Sequence, residues 1–193
     1  HSFVELFGLD KNKAEDLLRE GLKTVEEYRS FNLSACLVPH APYSLSPQLL
    51  EKIYSNSDDQ LLTIHYQETA SEKELFLDSK GDLAELFIAK GLDLSTQLKS
   101  GLNSAQYALL PYLAKKQKLL LVHNTFSDST DIEEIETYFS QAYWCTCPKA
   151  NWYIEKQLPN YNLWREKNLK ITIGTDSLAS NNSLCVLEEI KMI

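Results

Sequence analysis

No stretch of this chain stays apolar for the roughly 20 residues a membrane span requires, and no charged-then-apolar leader opens it. Basic residues are scarce, 19 against 27 acidic ones, giving a net charge of −8 with no Lys/Arg-rich block. That balance disfavours nucleic acid and anionic membranes as partners and favours a small-molecule substrate. The four cysteines, Cys36, Cys145, Cys147 and Cys185, have neither the CxxC spacing of a structural zinc site nor the density of a disulfide scaffold. They read as reduced thiols, so the expected location is cytoplasmic. No glycine-rich phosphate loop follows any strand candidate, which counts against an open-sheet nucleotide-binding protein. Low-complexity segments are absent too. With 44% hydrophobic content over 193 residues, the chain can bury one core, and a single domain over 1–193 is expected.

What is present is an alternation of short apolar runs with longer segments whose apolar residues recur every three or four positions, the pattern of strands alternating with helices around a parallel sheet. Strands are expected at 3–7, 35–39, 61–64, 119–122, 142–146 and 171–173. Helices are expected at 12–30, 47–54, 72–76, 83–89, 104–116, 132–139, 161–166 and 184–190. Ser46 before Pro47 has the form of an N-cap followed by a first-turn proline. Several strands are apolar throughout, as when both faces are buried. Periodicity alone leaves an open sheet and a closed barrel both standing.

The polar residues favour the barrel. His40, His65, His123 and Asp176 each follow an apolar strand core directly, and in a barrel those ends converge on one mouth. Any one such histidine can simply bond a neighbouring loop. Together, three imidazoles and a carboxylate are the donors that zinc or a related divalent ion takes, and such an ion lowers the pKa of water to about 7. Glu68, three residues after His65, is placed to move a proton between water and substrate, or else serves as a helix-entry carboxylate.

Five segments resemble, in order, those of the amidohydrolase superfamily's deaminase and chlorohydrolase branch. His40–Ser46 resembles its HAPYTxS segment, His65–Thr69 its HxxET, and Leu121–Asn124 its histidine-bearing sixth strand. Cys147–Asn151 resembles CPxSN, and Gly174–Ser177 with Ser180–Leu184 resembles GTDG and SNNxL. The resemblance implies a partial TIM (β/α)8 barrel with about six of eight strands. It makes His65 and Asp176 metal ligands, Asp176 also the general base, and Glu68 the proton shuttle. His123 is either a further ligand or the residue that polarises hydroxide or substrate. His40 would hydrogen-bond an adenosine-like substrate. The implied cofactor is a divalent metal, zinc first and iron second. Tyr43, Tyr66 and Trp152 are candidates to stack on a ring, with core or rim packing as the alternative.

The departures matter as well. The family's first strand carries an HxH metal-ligand pair that occurs nowhere in this chain, and His1 precedes what corresponds to the third strand. A barrel of this kind needs about 250 residues. The expectation is a barrel cut short at both ends, inactive by itself, whose unpaired edges favour a homodimer. Lys149-Ala150 replaces the usual xS, and Ser177 stands where glycine or alanine is common. The leading reading is a metal-dependent hydrolytic deaminase of an aminated heterocycle. The alternatives are a dechlorinating or cyclic-amide hydrolase of the same superfamily, and a catalytically silent barrel used for binding.

Overall fold

The computed structural model describes residues 1–57, 61–98 and 101–193. Six strands form within two residues of their expected bounds: β1 (Ser2–Leu6), β2 (Ala35–Pro39), β3 (Leu62–Tyr66), β4 (Lys118–His123), β5 (Gln141–Thr146) and β6 (Ile171–Ile173). His65 and His123 prove to be the last or next-to-last residues of their strands rather than the residues after them. The ladder pairs His65 with Val122 and Tyr66 with His123, so backbone hydrogen bonding carries regular structure up to the site.

Among the described residues every strand pairing is parallel, β1 with β2 and, in a second ladder, β3, β4, β5 and β6 in sequence order. The His65 N–H reaches the His40 carbonyl at 2.9 Å, joining β3 to the residue just past β2. Parallel neighbours need crossovers, and helices supply them. They are α1 (Ala14–Ser30), α2 (Pro47–Ser55), α3 (Ala70–Asp78), α4 (Asp82–Ala89), α5 (Leu94–Gln97), α6 (Ser104–Ala108), α7 (Ser129–Tyr138), α8 (Pro148–Glu155), α9 (Tyr161–Glu166) and α10 (Val186–Ile190). The series curls. Glu5 on β1 feels the charge of Asp176 beyond β6, whereas six strands laid flat at ~4.8 Å would hold them about 24 Å apart. The fold is therefore an incomplete (β/α)8 barrel, not an open sheet.

The sheet's two faces differ. Leu62, Ile64, Leu119, Leu121 and Trp144 belong to the large core packed under the helices, with Trp144 and Trp164 both fully buried. On the inner face Leu120 and Val122 gather with Cys145, Cys147 and Ala150, and along β4 the inner positions are only half-buried. The expectation of strands covered on both sides thus holds for β2 but not for β4.

Local signals explain most boundaries. Ser46 caps α2 as expected, its hydroxyl accepting from the Leu49 N–H at 3.3 Å. The helix expected over 104–116 stops at Ala108, because Pro111 offers no N–H and pushes its predecessor out of helical geometry. Helix α8, opened by Pro148, was missed in the sequence, as was the short α5. Among the described residues no helix is long and apolar enough to cross a membrane.

Candidate active site

The chain leaves three strand ends through left-handed backbone at non-glycine residues: Gln67 (φ 48°) after β3, His123 and Asn124 (φ 75° and 55°) at the end of β4, and Asp176 (φ 55°) after β6. Each costs of order 1 kcal/mol and persists only where neighbours impose it. The Asn124 N–H donates to the Tyr66 carbonyl at 2.9 Å and the Phe126 N–H to the Gln67 carbonyl at 3.0 Å. The Asn124 side-chain amide donates to the carbonyls of Leu121 (2.8 Å) and Cys145 (2.9 Å), so one asparagine fastens the ends of β4 and β5.

These turns aim side chains at a common point. One ligand atom each from His65, Glu68 and His123 lies within 4.8 Å of the other two. His65 Nδ1 is 3.9 Å from Glu68 Oε2, and His123 Nε2 is 3.5 Å from Glu68 Oε1. These separations are too long for hydrogen bonds but close to those of donors sharing one ion. Metal–ligand bonds of about 2.1 Å in a tetrahedron place donor atoms about 3.4 Å apart. Two imidazoles and a carboxylate are also the right donor types, so the residues fit a divalent cation. Burial, with the neighbouring His123 and His40, pushes the pKa of His65 down to about 3, leaving it the neutral imidazole that metal ligation needs.

Hydrogen bonds set which imidazole nitrogen is bare. Asn151 turns its amide nitrogen toward the His123 carbonyl (3.3 Å) and the Thr146 hydroxyl (3.4 Å), so its oxygen accepts the His123 Nδ1–H at 2.8 Å. Nε2 of His123 is thereby left facing Glu68. Likewise the Ser44 hydroxyl donates to the Ala41 carbonyl and accepts from His40 Nδ1 at 2.9 Å, leaving His40 Nε2 as an acceptor. The His40 ring lies 4.8 Å from that of His65, which in turn is 5.0 Å from that of His123.

Asp176 is not part of the His65–Glu68–His123 group. Its carboxylate accepts from the Ser180 hydroxyl, and its charge reaches His65 and Glu5. Three residues not assigned from sequence, Glu5, Asn151 and Ser180, complete the arrangement together with Tyr43, which the sequence offered only as a ring-stacking candidate. Glu5 sits 3.5 Å from His65, its pKa raised by burial. A lone carboxylate within the apolar run Phe3–Phe7 was the signal that could have found it. Tyr43 donates to Glu68 at 3.1 Å, and burial beside that carboxylate pushes its phenol well above the usual range. Tyr66 is fully buried in the core, so its packing alternative holds, while Trp152 lies half-exposed on α8.

The protein-family model described as "Amidohydrolase family" matches residues 8–193. The chain is 30% identical over 195 residues to an adenosine deaminase of Helicobacter pylori, covering 98% of this chain and 46% of that protein. It is 29% identical to a 5-methylthioadenosine/S-adenosylhomocysteine deaminase of Saccharophagus degradans, covering 91% of this chain and 35% of the relative. Among solved structures, the aminofutalosine deaminase of Helicobacter pylori superposes with a TM-score of 0.81 at 26% identity, over 98% of this chain and 47% of that one. The chain thus spans less than half the length of the relatives it matches. With nearly all its residues inside the family model, and with chemical side chains gathered at the ends of parallel barrel strands, the chain belongs to the amidohydrolase family.

Proposed function

We propose that this chain carries catalytic strand ends of a metal-dependent hydrolytic deaminase, which replaces the amino group of an adenosine-like nucleoside by oxygen and releases ammonia. The observation that carries this reading is the convergence of His65, Glu68 and His123 within 4.8 Å at a mouth that the charge of Asp176 also reaches, so that one carboxylate is there to hold an ion and another to move a proton. Relatives named as deaminases of adenosine and of 5-methylthioadenosine/S-adenosylhomocysteine support the substrate class.

In this reading His65 and Asp176 would hold a divalent cation, zinc or iron, with His123 either completing the set or polarising the reacting oxygen. Such an ion would supply the Lewis acidity that brings the pKa of water to about 7. Glu68 gives its proton to a ring nitrogen, which draws electron density from the carbon bearing the amino group. Asp176, oriented by Ser180, takes a proton from the attacking water. The carbon–nitrogen bond then breaks as the amino group gains a proton and leaves as ammonia. His40 accepts a hydrogen bond from substrate through Nε2, the nitrogen Ser44 leaves free. Tyr43, donating to Glu68, holds its carboxyl in line.

The test is ammonia release by the complete protein, supplied with zinc or iron, across adenosine derivatives, guanine, cytosine and aminotriazines, with and without a chelator. Chelator-sensitive ammonia from an adenosine derivative supports the proposal. Chloride or a ring-opened acid as product reassigns the protein to the dechlorinating or amide-cleaving reactions of its superfamily. Silence with no metal bound identifies a non-catalytic module.

A further inference from the structure

Of the four free thiols, none of which has a part in the proposed reaction, two lie side by side at one strand end. Cys145 ends the inner face of β5, and Cys147 stands one residue past that strand, at the cap of α8. Residues two apart along an extended chain project to the same side with Cα atoms about 6.6 Å apart, the upper end of the 4.4–6.8 Å a disulfide spans, and the Cβ atoms must approach to about 3.5–4.5 Å, so the backbone turn at Cys147 (φ −119°, ψ 76°) has to tighten for the bond to close. Here both sulfurs crowd one point. A Cβ placed on Gly174 would lie 3.1 Å from Cys147 Sγ and 3.4 Å from Cys145 Sγ, so the side-chain-free residue of the neighbouring strand end is what admits the pair. Both thiols are buried, and the Cys145 thiol donates to the Thr146 carbonyl at 3.9 Å. Cys147 also lies beyond the β5–β6 ladder, whose last paired residue on this strand is Thr146, and its carbonyl accepts the Asn151 N–H of α8 at 2.8 Å.

We propose that Cys145 and Cys147 form an oxidisable thiol pair that closes into an intrachain disulfide when exposed to a peroxide. One thiolate attacks a peroxide oxygen, breaking the O–O bond to give a sulfenic acid and hydroxide. The other thiolate attacks that sulfur and expels a second hydroxide. The two protons lost by the thiols convert both hydroxides to water. Two thiols are oxidised and one peroxide is reduced.

Trypsin isolates the pair, because Leu119–Lys149 contains no internal lysine or arginine and carries both cysteines without Cys36 or Cys185. The folded chain is treated with hydrogen peroxide at pH 8, alkylated with iodoacetamide in denaturant, digested and weighed. The peptide is expected to lose the mass of two hydrogen atoms, to resist alkylation, and to recover both thiols after dithiothreitol. Cys145→Ser and Cys147→Ser, each shown to be folded by circular dichroism, are each expected to abolish that mass loss. The proposal is overturned if both cysteines remain alkylatable once the exposed Cys185 has been oxidised. It is equally overturned if the peptide instead gains oxygen on cysteine without losing hydrogen.

Discussion

His123 and Asn151, 28 residues apart in sequence, are joined by a hydrogen bond of 2.8 Å that holds the imidazole with Nδ1 protonated and Nε2 bare toward Glu68. Such an outer partner fixes both tautomer and ring direction. Imidazole nitrogen NMR shifts are expected to report the Nδ1–H tautomer for His123. Asn151→Leu removes the acceptor and leaves a mixture of tautomers. In the complete protein the same change is expected to lower metal affinity about 10–100-fold. A single unchanged tautomer in the variant would show that Asn151 does not set it.

Glu68 and Tyr43 form the second relationship open to test. If Glu68 carries a proton, Glu68→Gln in the complete protein lowers turnover on the order of 100-fold or more. Tyr43→Phe removes one hydrogen bond to that carboxylate and is expected to cost only a few-fold, in turnover rather than in KM. Equal effects from the two variants would assign the phenol, not the carboxyl, to the chemistry.

Glu72 gives the fold a pH dependence. It is fully buried on α3, neither of its oxygens completes a hydrogen bond, and burial raises its pKa to about 8. Ser104 and the Gln67 and Glu68 backbone lie near enough to offset only part of that cost. The folded state therefore keeps a proton that the unfolded chain gives up near its ordinary value of 4.5. Stability is fully present below pH 4.5 and declines as pH rises through about 8, by an amount of order a few kcal/mol. Glu72→Gln has no proton to lose. Thermal melts at pH 5 and pH 9 should show a smaller fall in Tm for the variant than for the native chain, and equal falls would refute the assignment.

Ser46→Ala tests the α2 cap. The hydroxyl is buried and its loss leaves the Leu49 N–H without this partner, so a cost of about 0.5–2 kcal/mol is expected from urea unfolding. Because α2 packs against α1 and β2, the loss should appear as a shift of the single unfolding midpoint with unchanged slope.

Strand positions, the Ser46 cap and the residues at the strand ends were legible in the sequence, because each depends on neighbours within a few residues. Alternation and apolar runs mark strands, a serine before proline marks a helix start, and a histidine after an apolar run marks a strand end wherever the fold puts it. Where a local signal was overlooked the reading failed locally: Pro111 ended a helix expected to continue, and Pro148 began one not anticipated.

Other features depend on residues far apart in the chain, and only the curled series of strands decides them. The sequence names His65, Glu68, His123 and Asp176. The tertiary structure places the first three within reach of one ion and engages Asp176 with Ser180. Glu5 reads as a stray charge in an apolar strand until the curvature brings β1 around to His65. Asn151 reads as one polar residue among many until α8 carries it to His123. Side-chain type and strand-end position are properties of short segments. Distance across a barrel mouth is set by how parallel strands twist and pack against their helices, and no short segment contains that information.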